Sequence, residues 1–193
     1  MMNFISKRYH EAIEWCKGRN WWIRLPLLLF FIYVFIRHLQ DPLYKSIIGW
    51  LNLGTHELGH VIFMPFGQFL YFLGGSLTQC LVPVIGMINF YKQRDFFAIA
   101  ICFGWLSTNI FEVATYVGDA RAQSLPLVGF GMEPPIHDWN YLLGRFNLIS
   151  QCQQIANILR LLAVVFMFMC LILGFIMLWQ MFITRDQKKI GRI

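Results

Sequence analysis

The run Thr55-His56-Glu57-Leu58-Gly59-His60 holds the residues of this chain best able to do chemistry together. It fits the pattern H-E-x-x-H, which requires a helix. Residues four apart on a helix project from one face about 6 Å apart, so two imidazoles can share one metal ion, and zinc is the ion this pairing suits. Glu57 lies beside them, where a carboxylate can take a proton from a zinc-bound water whose pKa the metal has lowered toward about 7. A catalytic zinc usually keeps three protein ligands and one open position, so the pattern demands a third ligand from elsewhere in the chain.

His10, His38 and His137 are the remaining histidines. His10 and His38 lie near the N-terminus and just after the first apolar run, which leaves His137 as the imidazole candidate. Asp119 and Asp138 are the carboxylate candidates, with Glu112 behind them. Asn109, Glu112, Tyr116 and Asp119 recur at helical spacing within an arc of about 80°, a polar stripe expected to face the protein interior. Asp119 is followed by Arg121, so a helix-end ion pair would account for it equally well. The segment Pro134-Pro135-Ile136-His137-Asp138-Trp139 reads as a loop entering a short helix over 139–146, with Asp138 as its N-cap. His137 has no evident structural task, which ranks the pair His137/Asp138 ahead of Asp119. A metal-bound His137 backed by Asp138 or Asp119 would also have its ring oriented. Gln79 and Asn109 are candidates for hydrogen bonds to a substrate carbonyl or an oxyanion.

Such residues need a scaffold, and the composition says what kind. The chain has 193 residues, 58% hydrophobic and 13% charged, against about 25% charged in an ordinary soluble domain. One soluble core cannot hide this much apolar surface, so an all-α integral membrane protein, a single membrane domain over 1–193, is expected. The net charge of +6 sits at the two ends and in short connectors rather than on one face, which excludes a nucleic-acid footprint. Cys16, Cys80, Cys102, Cys152 and Cys170 show no C-x-x-C pairing, so neither a disulfide framework nor a cysteine-bound metal is expected.

Five apolar stretches recur, over 22–36, 47–66, 69–91, 96–117 and 155–183. They divide the chain into a basic segment (1–21), a membrane core carrying the metal motif (22–117), a polar loop (118–154), a last transmembrane helix (155–183) and a basic tail (184–193). Gly129, Gly131, Pro134 and Pro135 forbid a continuous helix through the polar loop. Lys7, Arg8, Lys17, Arg19 and Arg24 precede the first stretch with no small-residue cleavage site after it, which reads as a retained signal anchor with a cytoplasmic N-terminus.

Five crossings would put the connector Lys92/Arg94 and the tail Arg185, Lys188, Lys189, Arg192 opposite the basic N-terminus, against the positive-inside rule. Four crossings plus one segment that enters and leaves on the same side gather eleven of the sixteen basic residues on one face. The third stretch, with Gly74-Gly75-Ser76, Thr78-Gln79 and Pro83, is the expected re-entrant hairpin, its glycines giving a substrate backbone close approach.

With His56-Glu57-Leu58-Gly59-His60 in a membrane segment, Gly74-Gly75 after it and the Asn109…Asp119 stripe beyond, the chain resembles the site-2 protease class of intramembrane zinc metalloproteases. The resemblance implies zinc held by two histidines and a distant aspartate, water activated by the glutamate, and a membrane-anchored protein substrate cut in or beside the bilayer. No Asn-Pro motif leading into Leu-Asp-Gly is present, so the resemblance implies a divergent member and leaves the third ligand open. The alternative is a non-catalytic membrane subunit in which the metal site is structural or serves assembly with a partner, recognisable by a site closed with four protein ligands.

Overall fold

The computed structural model describes residues 4–127 and 136–190, and the helices within them are α1 (Phe4–Cys16), α2 (Trp21–Gln40), α3 (Gly49–Phe63), α4 (Gln68–Lys92), α5 (Phe96–Gly118), α6 (Asp138–Arg145) and α7 (Cys152–Ile190). No strand occurs among the described residues. The all-α, multi-pass membrane architecture follows, because four helices are long and apolar enough to cross a bilayer: α2, α4, α5 and the Ile149–Thr184 segment that includes most of α7. Gly129, Gly131, Pro134, Pro135 and Arg192 lie outside the described residues.

Helix α5 is the centre of the bundle, with 61% of its apolar window buried against 33% or less in the other three. It packs chiefly along α7. Small residues allow the approach: a Cβ on Gly104 would stand 2.8 Å from Cys170 Sγ and 2.7 Å from the Phe31 ring, and Ser107 donates to the Ala163 carbonyl (2.7 Å). Phe31, Phe35, Leu106, Ile110, Met167, Cys170 and Met181 form the continuous apolar core between α2, α5 and α7.

The re-entrant element belongs to the second apolar stretch, not the third. Helix α4 runs unbroken through Gly74, Gly75 and Pro83, so no hairpin forms there. The stretch 47–66, by contrast, is helical only over the fifteen residues Gly49–Phe63, about 22 Å at 1.5 Å per residue, short of the roughly 30 Å apolar thickness of a bilayer. A 3₁₀ turn at Met64–Phe66 and Gly67, at φ 89°, end it. Gly67 adopts a conformation costly for residues with a Cβ and turns the chain directly into α4.

Contacts along α5 trace the dip. The Pro42 carbonyl, just after α2, accepts from Thr115 Oγ1 (2.7 Å) near the C-terminal end of α5. Ten residues later Asn52 lies between Glu112, to which its Nδ2 donates (3.0 Å), and Trp105, whose indole N–H donates to its Oδ1 (2.8 Å), roughly 9–20 Å down the helix from Gly118. The chain then climbs, His56 meeting Tyr116 (ring centroids 5.9 Å apart) and His60 the Tyr71 carbonyl near the start of α4. Thus the chain enters and leaves on one face.

Helices α3 and α4 are held by a backbone contact. A Cβ on Gly59 would collide with the Gly74 carbonyl, and one on Gly74 would stand 2.8 Å from the Gly59 carbonyl. The glycines therefore admit a neighbouring helix of this chain rather than a substrate, and their N–H groups are spent inside α4.

The described basic groups of that count gather on one face. Arg8 lies 5.5 Å from the Tyr91 ring at the end of α4, Trp15 packs edge-on to Phe96 at the start of α5, and Trp21 packs on Phe182 of α7. The N-terminal basic group, the Lys92/Arg94 connector and the backbone of Arg185, Lys188 and Lys189 at the end of α7 thus share one face, and α6 and the loop 119–127 lie at the other. Epitope tags at the two termini are expected to react with antibody from the same side of sealed vesicles, and a tag inserted at Gln123 from the opposite side. Labelling of the two terminal tags from opposite sides would overturn this topology.

Candidate metal centre

Helix α3 presents Asn52, His56 and His60 on one buried face, and His56, Gly59 and His60 are packed on α4. The His56 ring lies flat on Gly75, where a Cβ would stand 2.5 Å from Nε2 and 2.7 Å from Cδ2 and Cε1. Any side chain there would push the ring out of place.

His56 Nε2 is 3.0 Å and His60 Nε2 3.3 Å from one oxygen, Asp138 Oδ2. Their opposite nitrogens are occupied: His56 Nδ1 donates to Gln79 Oε1 (2.6 Å) and His60 Nδ1 to the Tyr71 carbonyl (2.8 Å). The Gln79 orientation is fixed separately, its Nε2 donating to the Asn109 carbonyl (3.3 Å). With each Nδ1 facing an acceptor, each ring in its neutral form offers the Nε2 lone pair to the same point. Two imidazole nitrogens and a carboxylate oxygen thus converge in a buried place, an arrangement that a cation would satisfy. Their ligand atoms lie within 4.8 Å of one another, so His56, His60 and Asp138 fit a metal ion.

The structure brings Asp138 to the histidines and leaves His137 and Asp119 out. His137, not Asp138, caps α6: His137 Nδ1 accepts the Asn140 N–H (3.2 Å). Relieved of capping, Asp138 turns its carboxylate to α3, while its N–H donates to Tyr116 Oη (3.1 Å). The other edge of the buried His137 ring puts Nε2 3.3 Å from Asp119 Oδ2, a close polar contact rather than an aligned hydrogen bond. Burial holds the His137 imidazole below its ordinary pKa despite that carboxylate, which suits a neutral ring whose Nδ1 accepts.

Asp119 is committed to the loop, accepting from Ser124 N (2.9 Å), Ser124 Oγ (2.7 Å) and Leu125 N (3.0 Å). Burial works against its charge, but these donors prevail and hold the carboxyl below the usual range. The ion pair expected with Arg121 does not form among the described residues.

Helix α6 is pinned so that Asp138 arrives in register. Trp139 Nε1 donates to Ser76 Oγ (3.0 Å), Asn140 Nδ2 to the Ala120 carbonyl (2.8 Å), and Tyr141 packs on Phe72 at 4.4 Å between centroids.

Gln79 and Asn109 are spent on this framework rather than left for an oxyanion. Gln79 orients His56, and the fully buried Asn109 donates to the Trp105 carbonyl (3.0 Å). The Tyr71 carbonyl, by contrast, has no side-chain signature that a sequence could show.

A cavity of about 400 Å³ opens beside the three ligands, and Glu57, Gln79 and Tyr116 share its wall with them. The polar stripe of α5 does face the interior, with Glu112 and Tyr116 on the cavity. No family model, curated protein or solved structure matches the chain, so its chemistry is argued from this site.

Gly75→Ala is expected to lower metal affinity about 10–100-fold, the range seen when a ligating histidine loses its orientation. Gly54→Ala, which meets nothing within 4 Å, should leave it unchanged. Gln79→Met removes the acceptor behind His56 and is expected to act like Gly75→Ala. Competition against a chromophoric chelator on the purified full chain measures all three, and equal affinity across them would sink this account of the ring's support.

Proposed function

We propose that the protein is a zinc-dependent, membrane-embedded metallopeptidase that cleaves a membrane-associated protein, with His56, His60 and Asp138 as ligands and Glu57 as general base. The observation that carries the reading is the convergence of three acceptor atoms on one buried point with Glu57 on the adjoining cavity wall. Two imidazoles and a carboxylate form a ligand set that zinc favours and that leaves room for a fourth, exchangeable ligand. Resemblance to the site-2 protease class points the same way.

A bound zinc would supply Lewis acidity, making water a nucleophile near neutral pH and polarising the carbonyl under attack. Glu57 then takes the proton of that water and returns it to the departing amine. Gln79 and the Tyr71 carbonyl keep the two rings turned so that Nε2 faces the ligand point. The cavity against the cluster favours a catalytic site over a structural staple, which would be sealed by four protein ligands. The face carrying the basic groups is taken as cytoplasmic by the positive-inside rule, which puts the metal cluster nearer the opposite face.

Glu57→Gln is expected to retain zinc at wild-type stoichiometry and to lose about 10²–10⁴-fold in turnover, the usual contribution of a positioned base. His60→Ala and Asp138→Ala should lose the metal as well. Elemental analysis of the purified variants, with mass-spectrometric detection of products from a pool of single-span membrane peptides, checks both. Wild-type cleavage by Glu57→Gln would refute the mechanism.

A further inference from the structure

The cavity has a second polar end, away from the metal ligands, built by Lys45, Ser46, Gly49 and Glu112. Glu112 is the only carboxylate within the four candidate spans, and an ionisable group among apolar helices is costly to keep without a partner or a use. It is held in place with care. Asn52 Nδ2 donates to Glu112 Oε1 (3.0 Å), and Asn52, itself fully buried, is fixed in turn by the Trp105 indole.

Gly49 leaves the space bare, since a Cβ there would stand 3.2 Å from the same oxygen. The second carboxylate oxygen has no hydrogen-bond donor among the described residues, and Lys45 at the exposed rim acts on it through space without closing to an ion pair. Independently, Ser46 is a lining residue, 4% exposed, whose Oγ is buried beside the cavity without a partner. A buried hydroxyl without a partner and a clamped carboxylate open to the cavity thus stand at one end of it, where a donor entering the cavity would meet the carboxylate first.

Gly49 and Asn52 precede His56 by about two turns and one turn of α3, or roughly 6–11 Å. At about 3.3 Å per residue, an extended segment lying on the ligand point reaches that end in two to three residues. A basic residue inside an apolar segment needs an anion as much as Glu112 needs a cation.

We infer that Glu112 and Ser46 form a recognition subsite for a lysine or arginine side chain of the bound membrane segment, two to three residues from the bond that Glu57 addresses. The assignment deepens the peptidase reading and rests on it, but its test does not require turnover. The full chain carrying Glu57→Gln, reconstituted in nanodiscs with zinc, is titrated with labelled single-span peptides of about 20 residues. These carry either lysine or norleucine at each of three successive central positions.

At one position the lysine peptide is expected to bind at least about tenfold tighter, and Glu112→Gln, which keeps the acceptor for Asn52, should reduce that preference to within about twofold. Ser46→Ala, which removes only the hydroxyl, should reduce it severalfold and decides the matter should Glu112→Gln lose its metal. Equal binding of the two peptides at every position, or a preference untouched by both substitutions, overturns the subsite. Lysine-selective binding by a wild-type chain that cleaves nothing would overturn the peptidase reading and leave the subsite standing.

Discussion

The backbone contact between Gly59 and Gly74 is the constraint on which the site depends. Helix α3 is too short to cross a bilayer and cannot be positioned by the membrane as α2, α5 and α7 are. It is positioned by α4, and only two facing glycines bring the helices close enough for the His56 ring to lie on Gly75 and for His60 to reach the Tyr71 carbonyl. Without side chains at that crossing, the imidazoles become part of the packing between helices rather than appendages to it. Their orientation is then fixed before any ligand arrives, which lowers the cost of assembling a binding site.

The same economy governs α6. Adjacent residues face opposite ways from its first turn: His137 inward to cap the helix and meet Asp119, Asp138 across to α3. Asp119 secures the strand of loop ahead, Ser76 and Ala120 secure the residues behind, and the carboxylate between them has little freedom left. A buried polar network of this kind is stabilising only when each member is satisfied. At His56, His60 and Asp138 three such groups meet at one point, and the proposed metal would satisfy them together.

Much of this was legible in the chain. The H-E-x-x-H spacing, the interior-facing stripe from Asn109 to Asp119 and the placement of basic residues on one face all express local periodicity or charge counting, which survive without tertiary knowledge. What misled was composition read without boundaries. Gly74, Gly75 and Pro83 look like helix breakers, yet a glycine pair inside a membrane helix serves close packing as readily as interruption. The stretch 47–66 has the length of a span, but Pro65 and Gly67 shorten its helix. Hydropathy cannot register that loss. His137 and Asp138 exchanged roles because capping by an imidazole nitrogen is not a common signature, and Gln79 turned out to orient a histidine because its partner is distant in sequence.

The ligand set is divided between α3 and α6, with His56 and Asp138 separated by 82 positions. Such a division bears on how the molecule is made. While the first helices are being threaded into the membrane, the emerging chain holds two imidazoles and no third ligand, and a two-ligand site binds a metal weakly. Only after α5 has crossed and α6 has docked does the cluster close. On the proposed function, metal capture would come late in biogenesis, and a nascent chain that has not finished inserting would carry an incomplete centre.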